Sequence, residues 1–217
     1  MSIRILLADD HKIMQYGLNE AIKSEKDMEI VAAAEDGTQV VELARKLSPD
    51  VVVMDITMPN MNGIEATRLI VRDFPDIKVL GLSMHSAVKI ISEMFRAGCK
   101  GFVLKDCEYS ELVSAIRLVL NNEIYLTPSL GEETIEVITK GLHLDDATLF
   151  AVLSGRERQV AQLFAEGKTT RQVAAVLCIS PKTVEGHRSK IFNKLNIDNI
   201  ADLTRYAIRE GLTSSDI

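Results

Sequence analysis

Residues 51–59 are VVVMDITMP, in which the short apolar run of residues 51–54 is followed by the carboxylate of Asp55. An apolar run without polar alternation is typical of a strand buried on both faces of a parallel sheet. Four more runs of this kind lie at residues 3–8, 28–33, 79–82 and 101–104. We therefore predict a sheet of five strands.

Segments with helical periodicity separate these runs. Apolar residues fall on one face of each of the first two segments, at Ile13, Gly17, Ala21 and Ile22, and at Val40, Leu43, Ala44 and Leu47. Regular alternation of strand and helix predicts right-handed crossovers and a parallel sheet covered on both sides. Residues 1–121 are therefore predicted to form a doubly wound α/β domain.

The alternation stops after residue 121. Residues 122–152 contain Pro128, Gly131 and Gly141 and are strongly acidic, which indicates a linker with some helix. A short helix is expected from Thr134 to Ile138.

Residues 153–217 carry the start and stop signals of four helices. Ser154 with Glu157, and Thr169 with Gln172, have the spacing of capping boxes, while Gly167 can close the first helix. Ser180 before Pro181 is a further start signal, and Asp198 is expected to cap the last helix. The second and third helices are separated by a short turn, which predicts an all-α helix-turn-helix unit.

The charge is unevenly distributed along the 217 residues. Residues 1–121 carry 14 basic and 18 acidic side chains, residues 122–152 carry 1 and 6, and residues 153–217 carry 10 and 7. The three net charges are −4, −5 and +3. Only the last segment is therefore expected to approach a polyanion such as DNA.

Neither a secretory signal nor a membrane span is expected. The chain begins with the first strand instead of a basic segment followed by a long apolar one, so we expect a soluble, cytoplasmic protein with no membrane association. Cys99, Cys107 and Cys178 lack the spacing of a zinc site and the density of a disulfide scaffold. Reduced, buried thiols are expected.

Polar side chains follow four of the predicted strands. Asp9 and Asp10 follow the first strand, Asp55 ends the third, Ser83 the fourth and Lys105 the fifth. The carboxyl ends of parallel strands share one edge of a sheet, so these groups should converge. Three clustered carboxylates need a cation, and oxygen ligands favour Mg²⁺.

The same cluster suggests phosphoryl chemistry. Asp55 is the candidate nucleophile, because an aspartate can attack phosphorus to give an acyl phosphate. Lys105 would hold the phosphoryl oxygens as a point charge, and Ser83 could donate a hydrogen bond to one of them. His11 and His85 are expected to be loop histidines without a metal role.

These motifs resemble those of response-regulator receivers. The matching segments are ADDH at 8–11, VVMDITMP at 52–59 with Gly63 beyond, Ser83, and GFVLK at 101–105. The resemblance implies a flavodoxin-like sheet of order 2-1-3-4-5 with Asp55 as the phosphoacceptor. It also implies that Asp10 and the backbone carbonyl of Thr57 bind the metal, with Asp9 acting through water. Phe102 holds the switch position, where the family often has tyrosine.

The third C-terminal helix is a candidate DNA-binding element. Val184, Ile191 and Leu195 mark its inward face, which leaves a polar face outward. Arg188 and Lys194 could reach phosphates. The candidate contact residues are Lys182, Thr183, Glu185, Gly186, Arg188, Ser189, Lys190 and Lys194.

The segments LSGRERQV, TVEGHRSKIFNKL and YAIREGL resemble the LuxR-type helix-turn-helix, and with the receiver they make the chain similar to the NarL/FixJ family of response regulators. In that family, base-contacting side chains come from the positions held here by Glu185, Gly186 and Ser189. Glycine offers no side chain, and Glu185 could accept from a cytosine amino group or repel phosphates.

The resemblance implies a transcription regulator. A cognate histidine kinase would phosphorylate Asp55, and phosphorylation would control homodimerisation and promoter binding, with RNA polymerase as a further candidate partner. Any enzymatic activity would be limited to slow self-phosphorylation and self-dephosphorylation.

Two other functions stay open. A phosphatase of the haloacid-dehalogenase kind usually has a second aspartate two residues after its nucleophile, where this chain has Thr57. A receiver-controlled adaptor would use the helical unit to bind protein instead of DNA.

Overall fold

The computed structural model describes residues 2–84, 86–131 and 152–213, together with Thr134 and Glu136. His85 and most of the helix expected over residues 134–138 lie outside the described residues. The chain divides into two compact units, one with the strands and their helices and the other with the C-terminal helices. The domain bounds at residues 121 and 152 stay predictions.

All strands of the first unit pair in parallel, in the order β2-β1-β3-β4-β5-β6. Their bounds are β1 Ile3–Ala8, β2 Met28–Ala34, β3 Val51–Asp55, β4 Lys78–Ser83, β5 Gly101–Leu104 and β6 Tyr125–Leu126. The connecting helices are α1 Lys12–Ile22, α2 Gly37–Leu47, α3 Gly63–Asp73, α4 Val88–Ala97 and α5 Tyr109–Leu120. The receiver-type parallel sheet expected from the sequence is confirmed.

Both faces of the sheet are buried. Ile5 and Val53 pack against Ile116 of α5 in one apolar cluster. The alternate strand residues Leu6 and Val52 are also fully buried. This two-sided burial explains why the strand sequences are apolar without alternation.

The prediction of five strands needs correction, because the sheet has a sixth. Tyr125 and Leu126 pair with Gly101 and Phe102 of β5, within a segment predicted to be linker. A strand of two residues is too short to show periodicity in the sequence. Its hydrogen bonds to an otherwise exposed sheet edge are a tertiary effect.

The apolar face predicted for α1 is rotated from the buried one. Ile13 is 89% exposed and Gly17 is also exposed, whereas Ile22 is buried and Leu18 packs against the core. The buried face of α1 therefore contains Leu18 and Ile22, which are four residues apart. The predicted face of α2 is confirmed by the burial of Val40 and Ala44.

The described part of the second unit contains the helices α6 Gly155–Ala165, α7 Thr170–Val176, α8 Pro181–Leu195 and α9 Ile200–Arg209. Both predicted capping boxes are present, at Ser154 and Thr169. Ser180 caps α8 as predicted, with its side chain accepting from the Thr183 N–H.

Two expectations for this unit are corrected. Asn199, not Asp198, caps α9, because its side chain accepts from the Asp202 N–H at the correct spacing. Cys178 is exposed, since it lies in the turn before α8 with a φ of 52°. Within the described residues, no helix combines the length and apolar character needed to cross a bilayer.

Candidate functional site

The strand ends bring the predicted acidic residues together. Asp9 follows β1 and Asp55 ends β3, and these two strands are neighbours in the sheet. Lys105, which follows β5, places its Nζ 2.8 Å from Asp9 Oδ2 and 2.7 Å from Asp55 Oδ2. All three side chains are buried, with at most 5% exposed. One ammonium group thus bridges two carboxylates at the carboxyl edge of the sheet.

Asp10 and His11 complete this cluster. One possible ligand atom from each of Asp9, Asp10, His11 and Asp55 lies within 4.8 Å of the others. Three carboxylates at this spacing match the oxygen-rich coordination that Mg²⁺ prefers. His11 Nδ1 is 2.9 Å from Asp10 Oδ1 and 3.1 Å from Asp9 Oδ1, although 68% of its side chain is exposed. The structure therefore places His11 at the rim of the cluster.

Burial dominates the electrostatics of Asp55. Desolvation raises the pKa of Asp55 to about 6, although the Lys105 ammonium opposes this change. Burial also disfavours the charge on Lys105, but Asp55 and Asp9 outweigh it and hold the pKa of Lys105 above its ordinary value. A bound cation would favour the ionised form of Asp55.

The loop after β3 shapes the surroundings of Asp55. The backbone N–H of Thr57 donates to Asp55 Oδ1 over 3.3 Å. Gly63 donates its N–H to the carbonyl of Ile56, and a Cβ at Gly63 would lie only 2.0 Å from the carbonyl oxygen of Asp55. Only glycine therefore fits there without moving the backbone of Asp55. The role of the Thr57 carbonyl as a metal ligand stays a prediction.

Ser83 and Phe102 occupy neighbouring strands beside the cluster. Ser83 ends β4 with 2% exposure, and its carbonyl accepts the Lys105 N–H over 2.8 Å. Phe102 is fully buried and pairs with Gly81, where an added Cβ would lie 3.2 Å from the phenyl ring. The aromatic side chain therefore points inward.

Sequence reasoning missed two polar residues that support the site. The amide of Gln15 donates to the backbone carbonyls of Asp9 and Ala34. The Thr127 hydroxyl accepts the Leu104 N–H over 3.2 Å, one residue before Lys105. Neither residue belongs to a motif, and each acts through the backbone of another segment, so no sequence pattern marks them.

The polar face of α8 matches its prediction. Val184 and Ile191 are buried, and Leu195 is partly buried. Glu185 and Arg188 are partly buried, with side-chain exposures of 43% and 39%. The candidate DNA contacts that are exposed are Lys182, Thr183, Gly186, Ser189, Lys190 and Lys194.

Lys194 also has an internal partner. Its Nζ lies 2.8 Å from Glu157 Oε2 and 3.3 Å from the carbonyl oxygen of Val152. Burial opposes the charge of Glu157, but Lys194 and the Ser154 cap lower the pKa of Glu157 to about 2. Lys194 therefore stabilises the packing of α8 on α6, whereas its predicted phosphate contact stays a prediction.

Comparisons with known proteins agree with this arrangement. Residues 5–117 match the family model of the response regulator receiver domain, and residues 151–207 match that of bacterial regulatory proteins of the luxR family. The chain is 32% identical to the transcriptional regulatory protein DegU of Brevibacillus brevis, covering 96% of this chain and 94% of DegU. It is 33% identical to the response regulator UvrY of Escherichia coli strain K12, covering 99% of this chain and 97% of UvrY.

A solved structure extends the similarity to a DNA complex. RcsB from Salmonella enterica serovar Typhimurium, bound to promoter rprA in the presence of the phosphomimetic BeF3-, is 27% identical to this chain. The alignment has a TM-score of 0.61 and covers 95% of this chain and 98% of RcsB.

Proposed function

The chain belongs to the NarL/FixJ family of response regulators and is a phosphorylation-controlled transcription regulator, and we propose that Asp55 is its phosphoacceptor. The observation that carries the proposal is the Lys105 ammonium bound to both Asp55 and Asp9. An anionic phosphoryl group can approach two buried carboxylates only where positive charge is already in place.

The proposed reaction transfers a phosphoryl group from a phosphohistidine of a cognate histidine kinase. A carboxylate oxygen of Asp55 attacks phosphorus, and the bond between phosphorus and the histidine nitrogen breaks. Lys105 pairs with the phosphoryl oxygens, and the Ser83 hydroxyl donates a hydrogen bond to one of them. Asp55 must be ionised to attack.

The carboxylates of Asp10 and Asp55 and the backbone carbonyl of Thr57 would hold Mg²⁺, with Asp9 acting through water. A cation bound there would supply positive charge to offset the negative charge of the phosphoryl group. His11 lies beside Asp9 and Asp10 at the rim of this site.

Phosphorylation would change the structure of β4 and β5. A shift of Ser83 and Phe102 would remodel the surface formed by these strands and thereby control homodimerisation and promoter binding. A change from mostly inactive to mostly active requires roughly 3 to 5 kcal/mol of differential stabilisation. One new dianion paired with Lys105 and a divalent cation can supply this amount.

The proposed setting is the cytoplasm, with promoter DNA, a histidine kinase and a second copy of the chain as partners. RNA polymerase is a further proposed partner. Enzymatic activity is proposed to stop at slow self-phosphorylation and self-dephosphorylation, because Thr57 stands where a phosphatase would place its second aspartate.

The test compares wild type, Asp55→Asn and the control Asp76→Asn, because Asp76 is exposed. Each is incubated with a small phosphodonor and Mg²⁺, and binding to DNA selected from a random pool is titrated. We expect donor-dependent gains of about tenfold for wild type and Asp76→Asn and none for Asp55→Asn. Mass spectrometry should locate the phosphoryl group on Asp55.

Equal stimulation of all three proteins would remove Asp55 from the mechanism. Sustained hydrolysis of added phosphomonoesters would favour the phosphatase, and absence of DNA binding even at low salt would favour the adaptor.

A further inference from the structure

The outward face of α8 carries one acidic side chain, and two neighbours hold it in place. Glu185 Oε1 accepts a hydrogen bond of 2.6 Å from the Thr170 hydroxyl, and Glu185 Oε2 lies 2.7 Å from an Arg188 guanidinium nitrogen. Thr170 begins α7, whereas Arg188 lies one turn further along α8. Each oxygen of the carboxylate is therefore fixed by a different helix.

Arg188 is positioned in turn by the core of the unit. Its guanidinium carbon lies 6.0 Å from the ring centroid of Phe164, a residue of α6 that is 4% exposed. Such a contact restricts the arginine without removing it from solvent. Thr170 and Arg188 thus contact Glu185 directly, and Phe164 contacts Arg188, while 43% of the Glu185 side chain stays exposed.

An acidic group on this face is unfavourable for phosphate contacts. Lys182 and Lys190, which are exposed on the same helix, would attract the DNA backbone, whereas Glu185 would repel it. A carboxylate has about four acceptor positions, of which Thr170 and Arg188 use two. The remaining positions can accept a donor from a base edge in the major groove.

We propose that Glu185, positioned by Thr170 and Arg188, recognises a cytosine amino group in each half-site of the DNA. The proposal rests on the proposed DNA-binding function and adds its base preference. Cytosine presents an amino donor in the major groove, whereas adenine places an N7 acceptor beside its amino group and would repel the second carboxylate oxygen. Thr170 is a positioning residue, since its hydroxyl acts through Glu185.

The experiment selects binding sites from a random DNA pool with the full chain, phosphodonor and Mg²⁺. The proteins are wild type, Glu185→Ala, Glu185→Gln, Thr170→Val and Thr204→Val. Thr204 is the matched control, because its hydroxyl donates to the Ile200 carbonyl within α9. Circular dichroism establishes that each variant is folded before binding is titrated.

We expect wild type and Thr204→Val to prefer cytosine at one position of each half-site by about tenfold. Glu185→Ala should lose the preference, and Glu185→Gln should move it towards adenine, which pairs well with an amide. Thr170→Val should keep its affinity for unrelated DNA but retain only about a third of the cytosine preference, because the carboxylate is no longer fixed.

A cytosine preference that survives Glu185→Ala would overturn the inference, as would a Thr170→Val protein with the full wild-type preference. Either result would make the Thr170, Glu185 and Arg188 contacts purely structural while leaving the proposed function intact. Failure of wild type to bind any DNA at low salt would overturn both proposals.

Discussion

Asp55 is a buried acid whose ionisation the fold disfavours, and this property has a measurable consequence for stability. Its pKa rises from 3.8 in the unfolded chain to about 6 in the metal-free protein. The unfolded chain therefore releases this proton at lower pH, and the folded state loses stability as the pH rises through 6. Asparagine cannot ionise, so Asp55→Asn should raise the free energy of unfolding at pH 8 by roughly 1 to 3 kcal/mol.

Urea unfolding in the presence of a chelator measures this effect. The advantage of Asp55→Asn should shrink at pH 4.5, where Asp55 is protonated in the folded protein. It should also shrink when Mg²⁺ replaces the chelator, because a cation favours the carboxylate. An advantage independent of both pH and Mg²⁺ would contradict the assigned role of ionisation.

Lys194 and Lys190 lie one turn apart on α8 but should respond differently to substitution. Lys194 neutralises Glu157, whose pKa of about 2 implies stabilisation that is present above pH 4.5 and lost as the pH falls towards 2. Lys194→Met should therefore lower the free energy of unfolding at pH 7 by about 1 to 2 kcal/mol, because solvent around the exposed Lys194 screens part of the ion pair.

Lys190→Met is the matched control, since Lys190 is exposed. It should weaken DNA binding with little change in stability. Thermal unfolding and DNA titration of both variants separate the two roles, and equal stability of the two would remove the structural role of Lys194.

The short strand β6 shows how one element can be held by a neighbour's backbone. Thr127 is 4% exposed, its N–H donates to the Phe102 carbonyl over 3.1 Å, and its hydroxyl accepts the Leu104 N–H. The segment after β6 is thereby tied to the strand that leads into Lys105. Its attachment combines main-chain pairing with one side-chain hydrogen bond.

Thr127→Val preserves the shape of the side chain but leaves the buried Leu104 N–H without its hydroxyl acceptor. We expect a loss of about 1 to 3 kcal/mol in the free energy of unfolding. Ser114→Ala, which removes an exposed hydroxyl bound to the Ser110 carbonyl, is the control and should cost much less. Chemical denaturation of both variants measures the difference, and equal losses would mean that the Thr127 hydroxyl adds no specific stability.

The protein carries a net charge of −6 and yet is expected to bind DNA through a segment of net charge +3. Two to three Lys or Arg side chains per subunit should displace counterions from DNA. For a dimer, this predicts a slope of about −4 to −5 in a plot of log binding constant against log salt concentration. Titrations between low and physiological salt measure the slope. Lys182→Gln should reduce its magnitude by about 2 per dimer, whereas an unchanged slope would exclude Lys182 from phosphate contact.

The convergence of Asp9, Asp55, Ser83 and Lys105 follows from the sequence alone. Each residue ends or follows an apolar strand, and parallel strands must present their carboxyl ends at one edge. The capping boxes at Ser154 and Thr169 are equally local, because each depends on residues three positions apart.

Tertiary structure decided the features that depend on distant partners. The rotation of α1 away from Ile13, the addition of β6 and the pairing of Lys194 with Glu157 are examples. The link from Thr170 to Glu185 is another, because it joins two helices that the sequence placed next to each other without orienting their side chains. Periodicity and capping are properties of one segment, whereas a buried face or an ion pair depends on which atoms of another segment lie opposite.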